Sequence, residues 1–241
     1  MSRLLGLLLL VLAASPALAQ SRPPAPQPGP SQQANPPTPG EFDFWVLALS
    51  WSPSFCEDAG GSRAARQQCA GPRPYAFVVH GLWPQYERGG WPESCSRTRQ
   101  NLPRTMADKM LDIMPSRQLV YQQWDKHGTC SGLGQEGYFD KVRLARAVVK
   151  IPAAFVGIDK DLVTSPEAME QAFIAENPGL APDMLAVTCQ RRLLREVRIC
   201  LDKDLKFRTC PEVDGRACRS RTVVMPPERS GGVSAEPAID P

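Results

Sequence analysis

The chain holds two histidines, and each stands directly before a glycine in a polar segment flanked by aromatic residues. His80 lies in Phe77-Val78-Val79-His80-Gly81-Leu82-Trp83-Pro84-Gln85, and His127 in Gln123-Trp124-Asp125-Lys126-His127-Gly128-Thr129-Cys130. Imidazole gives and takes a proton near neutral pH more readily than other side chains. Two of them, with Lys126 beside one, suit proton transfer around an anionic centre such as a phosphodiester. Other chemistries fit less well. His127 and Cys130 have metal-ligand spacing, but no carboxylate–histidine cluster completes a coordination shell. A hydrolase using Cys130 as nucleophile fails if that cysteine is bridged. Gly128-Thr129-Cys130-Ser131-Gly132 is not a nucleophile elbow either. No metal and no cofactor is expected.

The elements that must position these residues follow from periodicity. Phe42 to Trp51 and Tyr75 to Leu82 are dense in aromatic and aliphatic residues and too short for buried helices, so both predict buried strands. The second is expected to end by delivering His80 at a Gly81 turn. Met106, Met110, Ile113 and Met114 recur at helical spacing after Pro103, and Pro115 closes that helix. Ser116 caps the next helix, with Leu119, Val120 and Trp124 on its apolar side and Gly128 as its stop. Gln123, Lys126 and His127 then share one face of the last turn, while Asp125 points to another side. A third helix runs from about Glu136 to Val149, with Val142, Ala145 and Val149 inward. Ser165-Pro166-Glu167 opens a fourth. From Met184 to Phe207 the pattern becomes strand-like. Strands at both ends with helices between predict an α+β domain with a mainly antiparallel central sheet.

Composition places that domain. Met1-Ser2-Arg3, the apolar run Leu4 to Ala14 and Ala17-Leu18-Ala19 read as a secretory signal over residues 1–19. The run is too short for a comfortable membrane span, and no other stretch qualifies. Residues 20–40 are proline-rich and predict an extended linker, and residues 226–241 predict a disordered tail. The folded part is then residues 41–225, of ordinary size for one domain. All eight cysteines fall inside it, and an even count in an exported chain implies a disulfide framework and an oxidising compartment. Net charge is +3, or about +2 once Arg3 leaves with the signal, a weak field for a polyanion. Arg191, Arg192, Arg195 and Arg198 crowd one segment and read as solvated strand and loop surface.

The two histidine segments resemble the active-site segments of the ribonuclease T2 family, in its bacterial secreted or periplasmic branch. Trp51-Ser52-Pro53-Ser54-Phe55-Cys56 is similar to that family's amino-terminal strand and turn, and the resemblance spans roughly residues 42–218. It implies a disulfide-stapled α+β fold and a metal-independent endoribonuclease acting on single-stranded RNA. His127 would be the base, His80 the acid and Lys126 the cation. It also implies the pairs Cys56–Cys69, Cys95–Cys130, Cys189–Cys218 and Cys200–Cys210. RNA carries its own nucleophile, the ribose 2′-hydroxyl, so DNA is expected to be a non-substrate. Ser50, Leu119 and Trp83 are candidate base-site residues. The departure lies at Gln122 and Gln123, where the family usually places His-Glu. Gln122 can still donate a hydrogen bond to phosphate, but neutral Gln123 in place of a carboxylate lowers the pKa of a nearby imidazole. A monomer exported to the bacterial periplasm or the medium is expected. The alternative is a secreted protein of the same fold that binds RNA or a protein partner with little catalysis.

Overall fold

Strand β1, Phe44–Trp51, is buried on both faces and organises the domain. Its side chains alternate across the sheet, as the two-residue period requires. Trp45, Leu47, Leu49 and Trp51 enter the main core, and Phe44 and Val46 enter a second, smaller cluster on the opposite face. The computed structural model describes residues 37–228 except 60, 63, 64 and 99. The expected signal, most of the linker and most of the tail lie outside the described residues.

β1 is followed by α1 (Ser52–Ala59), α2 (Arg66–Cys69) and β2 (Phe77–Gln85). Three helices come next: α3 (Arg104–Lys109), α4 (Arg117–Lys126) and α5 (Gln135–Ala147). β3 (Leu162–Thr164), α6 (Pro166–Glu176), β4 (Leu185–Gln190), β5 (Leu193–Leu201), α7 (Pro211–Asp214) and β6 (Val223–Met225) complete the order. The sheet runs β2-β1-β5-β6-β3, with β4 also paired to β5. Its pairs are antiparallel except β5–β6, which are joined in parallel at Leu193 and Val224. The helical layer covers one face: Val120 and Trp124 of α4, Tyr138, Phe139 and Val142 of α5, and Met169 and Phe173 of α6 share the main core with β1. Burial of large apolar side chains at roughly 25 cal/mol per Å² is the main force holding these layers together.

Four disulfides staple the domain: Cys56–Cys69, Cys95–Cys130, Cys189–Cys218 and Cys200–Cys210. These are the pairs the family resemblance implies. The caps also follow the sequence. Ser116 Oγ accepts from the Leu119 N–H at the start of α4, and Ser165 Oγ accepts from the Ala168 N–H with Pro166 in the first turn of α6.

Two expectations need correction. β2 does not end at Gly81 but continues to Gln85, with Trp83 paired to Val46 and Leu82 to Leu47. Pro84 is tolerated because β2 is the last strand on that side of the sheet, where an N–H is not needed. The helix after Pro103 stops at Lys109, and Met110 to Met114 form tight turns instead. The carbonyl of Ile113 turns aside there to accept from the Val79 N–H of β2. Residues at either end of the described chain are bonded to the rest of the domain. Gly40 donates its N–H to the Cys130 carbonyl at 2.8 Å. At the other end Trp51 Nε1 donates to the Pro226 carbonyl, and Glu228 accepts from the N–H groups of Gly157 and Ile158.

Candidate active site

The first histidine owes its direction to an irregularity in the β1–β2 pairing. Ala48 faces Gly81 and Leu49 faces Val79, so His80 is the extra, unpaired residue of a β-bulge. Bulges re-aim side chains in this way. Gly81 is required for a packing reason. A Cβ there would run into the Gln123 side-chain oxygen and the Trp83 indole nitrogen. Trp83 Nε1 donates to Gln123 Oε1 at 2.8 Å, and that contact joins β2 to α4.

The second histidine closes α4. His127 is its C-cap, its N–H bonded to the Gln123 carbonyl, and a short 3₁₀ turn, Gly128–Cys130, carries the chain away. A Cβ at Gly128 would strike the rings of Trp124 and Tyr138. Cys130 is bridged to Cys95, and Thr129 Oγ1 accepts from the Cys95 N–H. The turn after His127 is therefore tied to the segment that leads out of β2. Gln123 and His127 are buried while Lys126 is exposed, so the shared face of the last turn is inward for two of the three.

These parts meet in a cleft of about 720 Å³ whose walls include His80, His127, Lys126, Gln122, Gln123 and Trp83. Trp83 stands between the imidazoles, its ring centre 5.3 Å from that of His80 and 5.5 Å from that of His127. Asp125, expected to point away, borders the same cleft as an exposed rim residue. Ser50 and Leu119 do not join Trp83. They line a second pocket of about 430 Å³, and His80, Gln122, Arg195 and Glu196 are common to both. The candidate base-site residues thus fall on two sides of His80 rather than in one pocket. Among the described residues no group of three His, Cys, Asp or Glu side chains converges as a metal site.

The two imidazoles have unlike surroundings. His127 is only 6% exposed, and its Nδ1 is buried without a partner. Burial, then the charges of Lys126 and His80, push its pKa down to about 3, against a small opposing pull from Glu93. It is neutral at ordinary pH. His80 is partly exposed and donates from Nδ1 to Glu196 Oε1 at 2.5 Å. The other carboxylate oxygen of Glu196 accepts from Arg198 Nε at 2.9 Å and Nη2 at 2.8 Å. Burial raises the Glu196 pKa, but the bonds and charges of His80 and Arg198 outweigh it and hold the carboxyl at about 2. Arg198 also lies 5.3 Å over the Trp83 ring. Lys126 Nζ meets Glu93 Oε2 at 3.2 Å at the cleft mouth. The Trp91 indole and Lys126 keep the Glu93 carboxyl below its usual range.

Sequence reasoning missed Glu196, Arg198, Glu93 and Trp91. Glu196 and Arg198 read as outward charges of an irregular strand, and their only signal was that Arg195, Glu196 and Arg198 interrupt the otherwise apolar run Leu193 to Leu201. Trp91, exposed on the cleft rim, was signalled by an aromatic residue in the turn Gly89-Gly90-Trp91-Pro92.

Fold and site together define a disulfide-stapled α+β domain that gathers two imidazoles and an ammonium in one cleft. Residues 42–210 match the ribonuclease T2 family, and the chain belongs to it. It is 38% identical over 173 residues to a ribonuclease of Aeromonas hydrophila, covering 68% of this chain and 74% of that protein. It is 28% identical over 211 residues to ribonuclease 3 of Arabidopsis thaliana, covering 75% and 88%. Among solved structures, RNase NT in complex with 5′-AMP matches with a TM-score of 0.62 and 26% identity, over 78% of this chain and 99% of that one. An RNase-related protein from Calystegia sepium matches with a TM-score of 0.64 at 23% identity, over 78% and 99%, a likeness of fold.

Proposed function

We propose that this T2-family ribonuclease is an exported, metal-independent endonuclease that cleaves single-stranded RNA by transphosphorylation. His127, neutral and on the cleft wall, takes the proton of the ribose 2′-hydroxyl. The 2′-oxygen attacks phosphorus, the bond from phosphorus to the 5′-oxygen breaks, and His80 Nε2 gives its proton to the departing oxygen. Lys126 leaves Glu93 to meet the negative charge that builds on the phosphoryl oxygens. Gln122, on the ridge between the two pockets, donates to the same group, and Gln123 holds the wall through Trp83. The products are a 2′,3′-cyclic phosphate and a 5′-hydroxyl. DNA, without the 2′-hydroxyl, is not cut.

One observation carries this reading: two imidazoles line one cleft in environments that separate their roles, one buried without an ionic partner and one bonded to a carboxylate. Groups divided in this way supply the base and the acid of one reaction. The pockets on either side of His80 suit the bases flanking a scissile phosphate, with Trp83 and Trp91 on one side and Ser50 and Leu119 on the other. The chain acts as a monomer in the bacterial periplasm or the medium.

Purified protein incubated with single-stranded RNA in excess EDTA should release 2′,3′-cyclic ends, and the His80→Ala variant should release none. A wild-type protein that binds RNA and leaves it intact would favour the binding reading, which the neutral Gln122 and Gln123 motivate. Cleavage only with added divalent metal would overturn the mechanism. A single-stranded DNA of the same sequence should stay whole.

A further inference from the structure

Glu196 is the most deeply buried carboxylate among the described residues, 1% exposed. It comes from a second bulge. Thr188 of β4 faces Glu196 while Cys189 faces Leu194, which leaves Arg195 extra. β2 and β5 flank β1 on opposite sides, and Glu196 pairs with Ser50 where His80 bulges beside Leu49. Two irregularities on separate strands thus bring the acid to the imidazole.

We propose that Glu196 is a positioning residue for RNA cleavage: it fixes His80 as the Nδ1–H tautomer with Nε2 facing the scissile group. A carboxylate oxygen only accepts, so the 2.5 Å contact commits the Nδ1 proton to Glu196. The proton that His80 gives away is then the second one, carried on Nε2 by the imidazolium, and its departure leaves the Nδ1–H tautomer. Arg198 locks the acid in turn, because its Nε and Nη2 occupy the second oxygen. Where the family resemblance implies a carboxylate this chain has Gln123, and the acid bonded to a histidine comes from β5 instead. This rests on the reading of His80 as the general acid.

The arrangement makes Glu196→Gln informative. Arg198 needs an acceptor, so the amide oxygen turns to Arg198 and the amide NH₂ faces His80. Nδ1 must then accept, so the ring stays neutral; giving up its Nε2 proton would leave an imidazolate, and a neutral imidazole is a poor acid. Exchanging a histidine's carboxylate partner for an amide costs about 10⁴-fold in the serine-protease triad, and one proton-transfer group contributes about 10²–10⁴-fold. We expect Glu196→Gln to lose about 10²–10³-fold on RNA. On a nucleoside 3′-(4-nitrophenyl phosphate), whose leaving group departs without a proton, the loss should stay within a few fold. The ratio of the two rates is insensitive to the fraction of folded protein, so instability alone would not produce the split.

Equal losses on both substrates, or an RNA rate within a few fold of wild type, would refute the role of Glu196. His80→Ala measured alongside separates the failures. If it shows the split and Glu196→Gln does not, Glu196 alone is wrong; if it loses both substrates equally, the acid reading falls and this proposal with it. Should Glu196→Gln not fold, ¹⁵N spectra of wild-type histidines above pH 8 still decide. A protonated Nδ1 at His80 is expected, and an unprotonated one overturns the proposal.

Discussion

Gln123→Glu places on α4 the carboxylate that the family resemblance implies, and asks whether its absence sets the acid limit of activity. Gln123 is 5% exposed and lies four residues before His127 on the inward face of α4. Side chains at that spacing stand about 5–6 Å apart. At roughly 6 Å and an effective dielectric near 20, a carboxylate attracts an imidazolium by about 3 kcal/mol, or about two pKa units. Burial of the new charge takes back part of this, so a rise of about one to two units above the present value near 3 is expected. A base works only when neutral, and activity falls as pH drops below its pKa. Raising the His127 pKa therefore moves the acid limb of kcat/KM to higher pH by the same one to two units. The plateau rate should rise as well, because a stronger base abstracts the proton more readily. The assay is initial rates on homopolymer RNA from pH 3 to 8 at constant ionic strength, with circular dichroism marking where each protein stays folded. A limb that does not move, or moves to lower pH, would refute both the role of His127 and the account of the glutamine.

Other perturbations probe the supports. Glu196 is held at about 2, against 4.5 as its ordinary value, so its contribution to stability is full above pH 4.5 and lost as pH falls toward 2. That difference is worth about 3 kcal/mol, and urea unfolding of Glu196→Gln should lack this part of the acid slope. Replacing Cys95 and Cys130 together by serine removes a link across a separation of 35 residues. It should cost about 4 kcal/mol of stability and lower activity even below the melting temperature, since Cys130 anchors the turn behind His127. Gly128→Ala forces a methyl against the Trp124 and Tyr138 rings and should cost about 1–3 kcal/mol by thermal unfolding. Gly81→Ala displaces Gln123 and Trp83 at the cleft wall instead, and should reduce kcat more than it lowers Tm.

Local signals in the sequence were reliable where one element determined the outcome. Ser116, Ser165 and Pro166 begin helices as their side chains dictate, and the two histidine segments could be read because each is contiguous. What escaped depends on pairing between distant segments. The helix after Pro103 has the right period past Lys109, yet the Ile113 carbonyl is taken by β2. Both bulges arise from register against neighbouring strands, which no single segment encodes. Glu196 was missed for that reason: 116 residues separate it from His80, and only the register of β5 against β1 brings them together. The glycine after His80 suggested a turn, whereas Gly81 stays within β2 and makes room for Gln123 and Trp83. Gly128 does stand at the end of α4, and it also makes room for Trp124 and Tyr138.

The alternation along β1 bears on misfolding. Its core-facing residues pair with Leu201, Ile199 and Val197 of β5, while Val46, Ala48 and Ser50 pair with Cys200, Arg198 and Glu196. A slip of one residue in β1 would turn its tryptophans and leucines toward the cleft, as any odd slip reverses every side chain. The same slip in β5 would press Arg198 and Glu196 into the apolar interior, where unpaired charges are strongly disfavoured. The charged groups beside the cleft therefore make a one-residue slip costly, so the residues that serve the site also disfavour the wrong strand alignment.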